Sequence, residues 1–209
     1  MAQPDLFPST AMPDHDWWQA LWPDPMAVVR AVGVSPGMTV VDVGCGDGHF
    51  TAPLAQLAGD EVYALDLDPA MLELARREVV RTRAPSPHWI CGDAMELAAL
   101  VPVQVDLALM ANTFHGVPDK NRLAHAIARV VKPGGRWVII NWHRRPREET
   151  TVLGSPRGPR TELRMIPEAV RAAVEPAGFV QDKRVELPPY HYAVTFRRIG
   201  GASSQGGQE

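Results

Sequence analysis

Val40-Val41-Asp42-Val43-Gly44-Cys45-Gly46-Asp47-Gly48-His49-Phe50-Thr51 decides the fold. An apolar run ends in an acidic residue, three alternating glycines follow, and a helical pattern begins. Glycine at these positions opens φ > 0 and lets a ligand approach bare backbone. The start of the next helix offers N–H groups that no carbonyl of that helix accepts. Strand, glycine turn and helix in this order make a nucleotide-type cofactor site. Spacing narrows the choice. The dinucleotide fingerprint G-x-G-x-x-G requires glycine at 49, where His49 stands, so the loop is G-x-G-x-G behind Asp42. Taken alone, a glycine triplet is also compatible with a tight strand-to-helix turn that binds nothing.

Outward from the loop, apolar spacing alternates between strand and helix. Residues 39–43 read as a buried strand and 49–58 as a helix with Phe50, Leu54 and Leu57 on one face. A second strand, 61–65, ends at Asp66. Asp68-Pro69 then opens a helix whose stripe is Met71, Leu72, Ala75 and Val79. Residues 88–91, 105–110 and 136–142 read as further strands, with a helix over 118–131 stopped by Lys132-Pro133-Gly134-Gly135. The pattern returns to helix at 167–177 and to a strand pair at 179–187 and 190–198 around Pro188-Pro189. Before the loop, 14–22 reads as a short aromatic helix, and Asp24-Pro25 starts another that closes at Gly33. Strands alternating with helices predict a Rossmann-like α/β fold, a doubly wound, mostly parallel sheet with helices on both faces.

Bulk properties set bounds. At 209 residues and net charge −3, the chain is most simply one soluble domain with no basic field for nucleic acid. Its two cysteines, Cys45 and Cys91, form no C-x-x-C pair or His/Cys cluster, so no metal site is expected. No apolar run has the length of a membrane span, and residues 1–16 lack the charge and apolar blocks of a signal peptide. A cytoplasmic location is the expectation. The expected division is an N-terminal segment at 1–23 that is a candidate lid, a main domain at 24–199 and a flexible tail at 200–209.

The loop with its preceding Asp42 resembles motif I of class I S-adenosylmethionine (AdoMet)-dependent methyltransferases. Further segments in the right order support the resemblance. Asp66, about 20 residues past the loop, is suited to accept from both ribose hydroxyls. Gly92-Asp93-Ala94-Met95 is similar to the family's adenine segment, with Asp93 facing the exocyclic amine and Leu67 and Met95 sandwiching the ring. Asp93 is also a natural helix cap, and the two roles can coexist. Residues 106–112, ending in Ala111 and Asn112, match the family's fourth strand, and Lys132-Pro133-Gly134-Gly135-Arg136 is a frequent family signature. The ending at 167–198 resembles the last helix and hairpin of the small bacterial ubiquinone/menaquinone-type group. The resemblance implies a seven-stranded sheet with an antiparallel last strand. It also implies AdoMet as cofactor, S-adenosylhomocysteine (AdoHcy) as product, and a cofactor site of Asp42, Gly44, Cys45, Gly46, Gly48, Asp66, Leu67, Asp93, Ala94, Met95, Ala111 and Asn112.

The acceptor side carries no motif and is placed by strand order alone. Open α/β sheets gather their sites at the carboxyl ends of strands. His115, after the fourth strand, and His143, after the fifth, are the candidate general bases. Trp17, Trp18 and Trp22 could cover the site or simply pack on the sheet. Trp142, Tyr190 and Tyr192 are candidate substrate contacts. The arginines of 144–164 read as a solvated loop in preference to an anion site. The loop Asn112-Thr113-Phe114-His115 differs from the Asn/Asp-Pro-Pro-Tyr type of amino-methylating nucleic-acid enzymes, so a small-molecule acceptor is expected. An NAD(P)-dependent oxidoreductase and a non-catalytic AdoMet-binding regulator are the alternatives. Acceptor identity and the choice between monomer and homodimer lie outside what the sequence decides.

Overall fold

A computed structural model describes residues 15–200. The first part of the proposed N-terminal segment and nearly all of the proposed tail lie outside the described residues. Strands β1 (Val40–Val43), β2 (Val62–Asp66), β3 (His88–Cys91), β4 (Val105–Ala111) and β5 (Val131–Trp142) run parallel. A two-stranded hairpin follows, β6 (Thr151–Val152) and β7 (Ser155–Pro156), and then β8 (Phe179–Leu187) and β9 (His191–Arg198). The main sheet has seven strands in the order β3-β2-β1-β4-β5-β9-β8. The last strand is the antiparallel one, as expected, and it lies between β5 and β8.

Helices cover both faces. On one face α1 (His15–Leu21), α2 (Pro25–Ala31), α3 (Thr51–Ala58) and α4 (Pro69–Arg81) lie over the sheet. There Trp22, Val29, Phe50, Leu54, Leu107, Ile140 and Trp142 share one apolar cluster. On the other face α5 (Leu97–Leu100), α6 (Lys120–Val130) and α7 (Pro167–Val174) complete a cluster that includes Val41, Leu65, Leu123, Ile127, Trp137 and Phe196. Alternate residues of each strand feed the two clusters, because strand side chains point to opposite faces. Asp24 and Asp68 cap α2 and α4 through bonds from Ala27 and Ala70 N–H.

Several boundaries differ from the sequence reading. Helix α3 begins at Thr51, two residues late, because Gly48 at φ 86° keeps the chain in a turn. Helix α6 begins at Lys120, since Asp119 accepts from Arg122 N–H and is its cap. Helix α7 ends at Val174 and continues only as a 3-10 turn, Glu175–Ala177, where Pro176 cannot supply an N–H. Strand β5 starts at Val131, and 132–135 bulge out of its pairing with β4 before it resumes at Arg136. Segment 144–166 holds the β6–β7 hairpin between two 3-10 turns, Arg147–Glu149 and Thr161–Leu163.

Candidate active site

The glycine loop leaves β1 at the carboxyl edge of the sheet and is tied to β2. Gly44 and Cys45 N–H both donate to Leu65 O, at 2.8 and 3.0 Å. Gly46 N–H donates to Asp66 Oδ2 at 2.8 Å, and Asp68 N–H to Asp66 Oδ1 at 2.9 Å. Gly44, Gly46 and Gly48 all have positive φ, which only glycine adopts freely. At Gly48 a Cβ would lie 2.7 Å from Ala75 Cα, so the loop touches α4 backbone to backbone. At Gly44 it would meet Thr113 at 3.1 Å.

Electrostatics around this loop are set by burial. Asp42 is 2 % exposed and accepts from Thr51 Oγ1 at 2.7 Å. Burial, aided by nearby Asp66 and Asp47 and opposed by the Thr51 bond, pushes its carboxyl up to about 7. Asp66 is also raised, chiefly by burial, while the Asp68 and Gly46 N–H bonds pull the other way. Each Asp66 oxygen takes one backbone N–H, and a carboxylate oxygen has a second lone pair, so acceptor capacity for ribose hydroxyls remains. Burial raises the Cys45 thiol far above its ordinary value, so it serves by packing and not as a thiolate.

The other cofactor candidates sit along the same edge. Leu67 follows Asp66 and is half-buried, as are Ala94 and Met95 after β3. Asp93 is exposed and accepts from Met95 N–H at 2.9 Å, so it does cap the 3-10 turn Ala94–Glu96. Ala111 ends β4. Asn112 stands at φ 59°, a left-handed conformation unusual for a non-glycine residue. Its N–H donates to Ile140 O at 2.8 Å, while its amide side-chain atoms are buried with no hydrogen-bond partner among the described residues. A glycine cradle, an acidic rim and an orphaned amide on one edge fit a polar nucleoside-type ligand. Among the described residues no group of three or more His, Cys, Asp or Glu could hold a metal.

The acceptor candidates divide by burial. His115 lies in the 3-10 turn Phe114–Gly116, 6 % exposed, with neither ring nitrogen hydrogen-bonded among the described residues. Burial first, then the charges of Lys120 and Arg164, lower it to about 4, so its ring is neutral at pH 7. His143 is half-buried, and its Nε2 lies 2.8 Å from Glu186 Oε2. Trp142 stacks on Tyr190 at 5.9 Å, and the Arg164 guanidinium lies 5.0 Å from its ring centroid. Tyr190 OH donates to Thr151 O, and Tyr192, fully buried, donates to Met165 O. Trp17, Trp18 and Trp22 are all buried. Trp18 packs on His49 of the glycine loop, Trp22 on Phe50 and His191, and Trp17 on Arg157 of the β6–β7 hairpin.

Two residues stand out here for which the sequence left a pocket role and a bland one both open. His191, the first residue of β9, pairs with Trp142 and is 1 % exposed, its ring 4.2 Å from the indole. Its strand position was readable, but not its neighbours. Arg164 corrects the expectation of a solvated basic loop: it is 3 % exposed. Its guanidinium donates to Pro159 O, Arg145 O, Arg157 O and Thr150 Oγ1, and so ties the inserted segment together.

Known proteins are similar to this chain in sequence and fold. Residues 41–139 match the family described as a methyltransferase domain. A 2-phytyl-1,4-naphtoquinone methyltransferase of Trichormus variabilis is 30 % identical over 120 residues, 56 % of this chain and 52 % of that protein. A ubiquinone biosynthesis O-methyltransferase of Xanthomonas campestris is 30 % identical over 139 residues, 62 % of this chain and 57 % of that protein. The chain thus spans a little over half the length of these curated relatives. A solved structure, an S-adenosylmethionine-dependent methyltransferase from Aquifex aeolicus, superposes with a TM-score of 0.74 at 26 % identity, covering 89 % of this chain and 94 % of that one. By the match at residues 41–139 and by the fold it shares with the Aquifex aeolicus structure, the chain is similar to the S-adenosylmethionine-dependent methyltransferases.

Proposed function

We propose that this chain transfers the methyl group of AdoMet to a small-molecule acceptor. The observation that carries the reading is the bond from Gly46 N–H to Asp66, which fixes the glycine cradle against the carboxylate suited to a ribose. Gly44, Cys45, Gly46 and Gly48 would hold the cofactor through backbone, aided by the Asp42 carboxyl behind the loop. Asp66 would take its ribose, Leu67, Asp93, Ala94 and Met95 its adenine, and Ala111 and Asn112 its reactive end. When bound, AdoMet supplies a methyl already activated by the sulfonium, so the protein's work is positioning and exclusion of water.

The acceptor is assigned to the carboxyl ends of β4 and β5, among His115, His143, Trp142, Tyr190 and Tyr192. Trp17, Trp18 and Trp22 form the cover, as the lid of the 1–23 segment over a 24–199 domain. For a neutral acceptor, His143 is the candidate proton acceptor, its Nε2 2.8 Å from Glu186 Oε2. His115 has little proton affinity where it lies. The quinone-pathway relatives make a quinone-type or related aromatic acceptor the first class to try.

The test has two stages. Calorimetry with AdoMet, AdoHcy and NADH should show binding of the first two only; NADH binding alone defeats the reading. Turnover to AdoHcy with a panel of quinols and other small acceptors then separates an enzyme from a non-catalytic AdoMet binder. No helix among the described residues is long and apolar enough to cross a membrane.

A further inference from the structure

The carboxyl edge of β4 and β5 is unusual in its charge. Arg164 is buried, yet its bonds go to three backbone carbonyls and one hydroxyl. Lys120 Nζ, half-buried, donates to His115 O and Val117 O at 3.2 and 2.7 Å. Among the described residues no carboxylate lies within ion-pair distance of either cation. Glu148 acts on Arg164 only at longer range, and Glu186 is engaged by His143 and Arg184. Burying a cation without a counter-charge is costly, and bound carbonyls offset only part of that cost.

Two buried imidazoles share this field. Burial first drives both toward the neutral form, joined at His115 by the charges of Lys120 and Arg164 and at His191 by those of His143, Arg164 and His115. None of their four ring nitrogens is hydrogen-bonded among the described residues. A neutral imidazole carries one N–H donor, and a buried donor left without an acceptor is destabilising. Trp142 joins the group: His191 and the Arg164 guanidinium both pack on its ring. Two cations without an ion-pair partner among the described residues and two imidazoles without a hydrogen-bond partner there, all at the carboxyl end of β4 and β5, are complementary to a negative oxygen.

We propose that the site takes an acceptor that arrives already ionised, an oxyanion of the carboxylate or phenolate type, received by the N–H groups of His115 and His191 in the field of Arg164 and Lys120. The proposal rests on the methyl-transfer reading above and names its acceptor class. The step balances without a base in the protein. The anionic oxygen attacks the methyl carbon, the new O–C bond forms as the S–C bond breaks, and the bonding pair stays on sulfur. An anion and a sulfonium become a neutral methyl ester or ether and a thioether. The acceptor's proton has already gone to water before binding. His115 and His191 are therefore positioning residues that hold the nucleophilic oxygen and take no proton.

The experiment uses the full chain saturated with AdoHcy at pH 8. Calorimetry compares benzoate with benzamide, and 4-nitrophenolate with 4-nitroaniline. At least one anion should bind tenfold or more tightly than its neutral counterpart. Preference in the first pair alone identifies a carboxylate acceptor, in the second alone a phenolate. The preference should fall at least fivefold in His191→Phe and His115→Phe, each checked for an unchanged AdoHcy affinity. Because either variant could unfold, 15N spectra of the histidine rings in the unmodified protein give an independent reading: anion binding should shift the N–H signals of two neutral rings. Neutral ligands binding as well as the anions, neither anion binding at millimolar concentration, or no ring signal responding to the anion overturns the proposal while AdoHcy binding persists. Failure of AdoHcy itself to bind defeats the methyl-transfer reading and this inference with it.

Discussion

Replacing Asp42 by asparagine should remove that residue's share of the stability the parent loses as pH rises. The Asp42 carboxyl is 2 % exposed, and the Thr51 hydroxyl 2.7 Å away is its hydrogen-bond partner. In the folded chain it keeps its proton up to about pH 7, against 3.8 for an ordinary aspartate. The folded state thus binds more protons than the unfolded state between these values, and stability falls as pH rises through that window. A gap of about three pH units at about 1.36 kcal/mol each amounts to about 4 kcal/mol, lost progressively from pH 4 and fully above pH 7. Asparagine can still accept from Thr51 through its amide oxygen but never ionises. Its buried NH2 costs about 1–3 kcal/mol, at every pH alike, so it lowers the whole curve without tilting it. Urea denaturation of both proteins without ligand at pH 5, 6, 7 and 8 reads the difference directly. Asp42→Asn should gain on the parent by at least about 2 kcal/mol across that range, half the full amount. A constant difference from pH 5 to pH 8 would refute a proton-holding Asp42 and would mean water reaches the base of the loop.

Other consequences are as accessible. Asp66→Ala removes the acceptor of the Gly46 and Asp68 N–H groups as well as the ribose ligand, and should weaken AdoHcy at least tenfold by calorimetry, about 1.4 kcal/mol or more; unchanged affinity in a folded variant places the ribose elsewhere. Gly48→Ala, with φ 86° and its Cβ 2.7 Å from Ala75 Cα, should lower the unfolding free energy by about 1–3 kcal/mol and disturb the loop, whereas a neutral result means α4 can give way. The His115 ring should titrate near pH 4 by proton NMR. Because that lies below its unfolded value of 6.5, the matching stability is full above pH 6.5 and lost as pH falls toward 4; a midpoint near 6.5 contradicts its burial. Trp22→Ala should cost about 3 kcal/mol, since the indole is 3 % exposed against Phe50 and His191, and a cost under about 1 kcal/mol would mean α1 spends much of its time off the sheet.

The cofactor side was legible because its parts are contiguous. Asp42 to Gly48 is one loop whose backbone is proposed to hold the cofactor, and Asp66 is marked by its distance from that loop and its place at a strand end. The caps at Asp24 and Asp68 were legible for the same reason, being local. The acceptor side is assembled from four separate stretches. Nothing in Arg144-Arg145-Pro146-Arg147 through Arg164 distinguishes the one arginine that is buried; carbonyls of 145, 157 and 159, brought together by folding, make the difference. His191 reads in sequence as pocket lining or strand packing alike, and the β5–β9 register that sets it beside Trp142 gives it its neighbours. Boundaries shifted where a neighbour overrode the local pattern, as when Asp119 rather than Pro118 opened α6.

The reversed direction of β9 shapes how such a protein can change. A parallel strand delivers its last residue to the working edge of the sheet, whereas an antiparallel one delivers its first. The β8–β9 turn therefore brings Leu187 to His191 to the same rim as the β4 and β5 ends, from a part of the chain distant in sequence from the glycine loop. On the methyl-transfer reading, the donor is held by residues between Asp42 and Asn112, and the recipient is met in part by 142–192. Substitutions in that later stretch should then retune which molecule is modified while Asp42, Gly44, Gly46, Gly48 and Asp66 stay unchanged. A lineage could diversify its chemistry by drifting in that one hairpin and the arginine-stapled insertion before it.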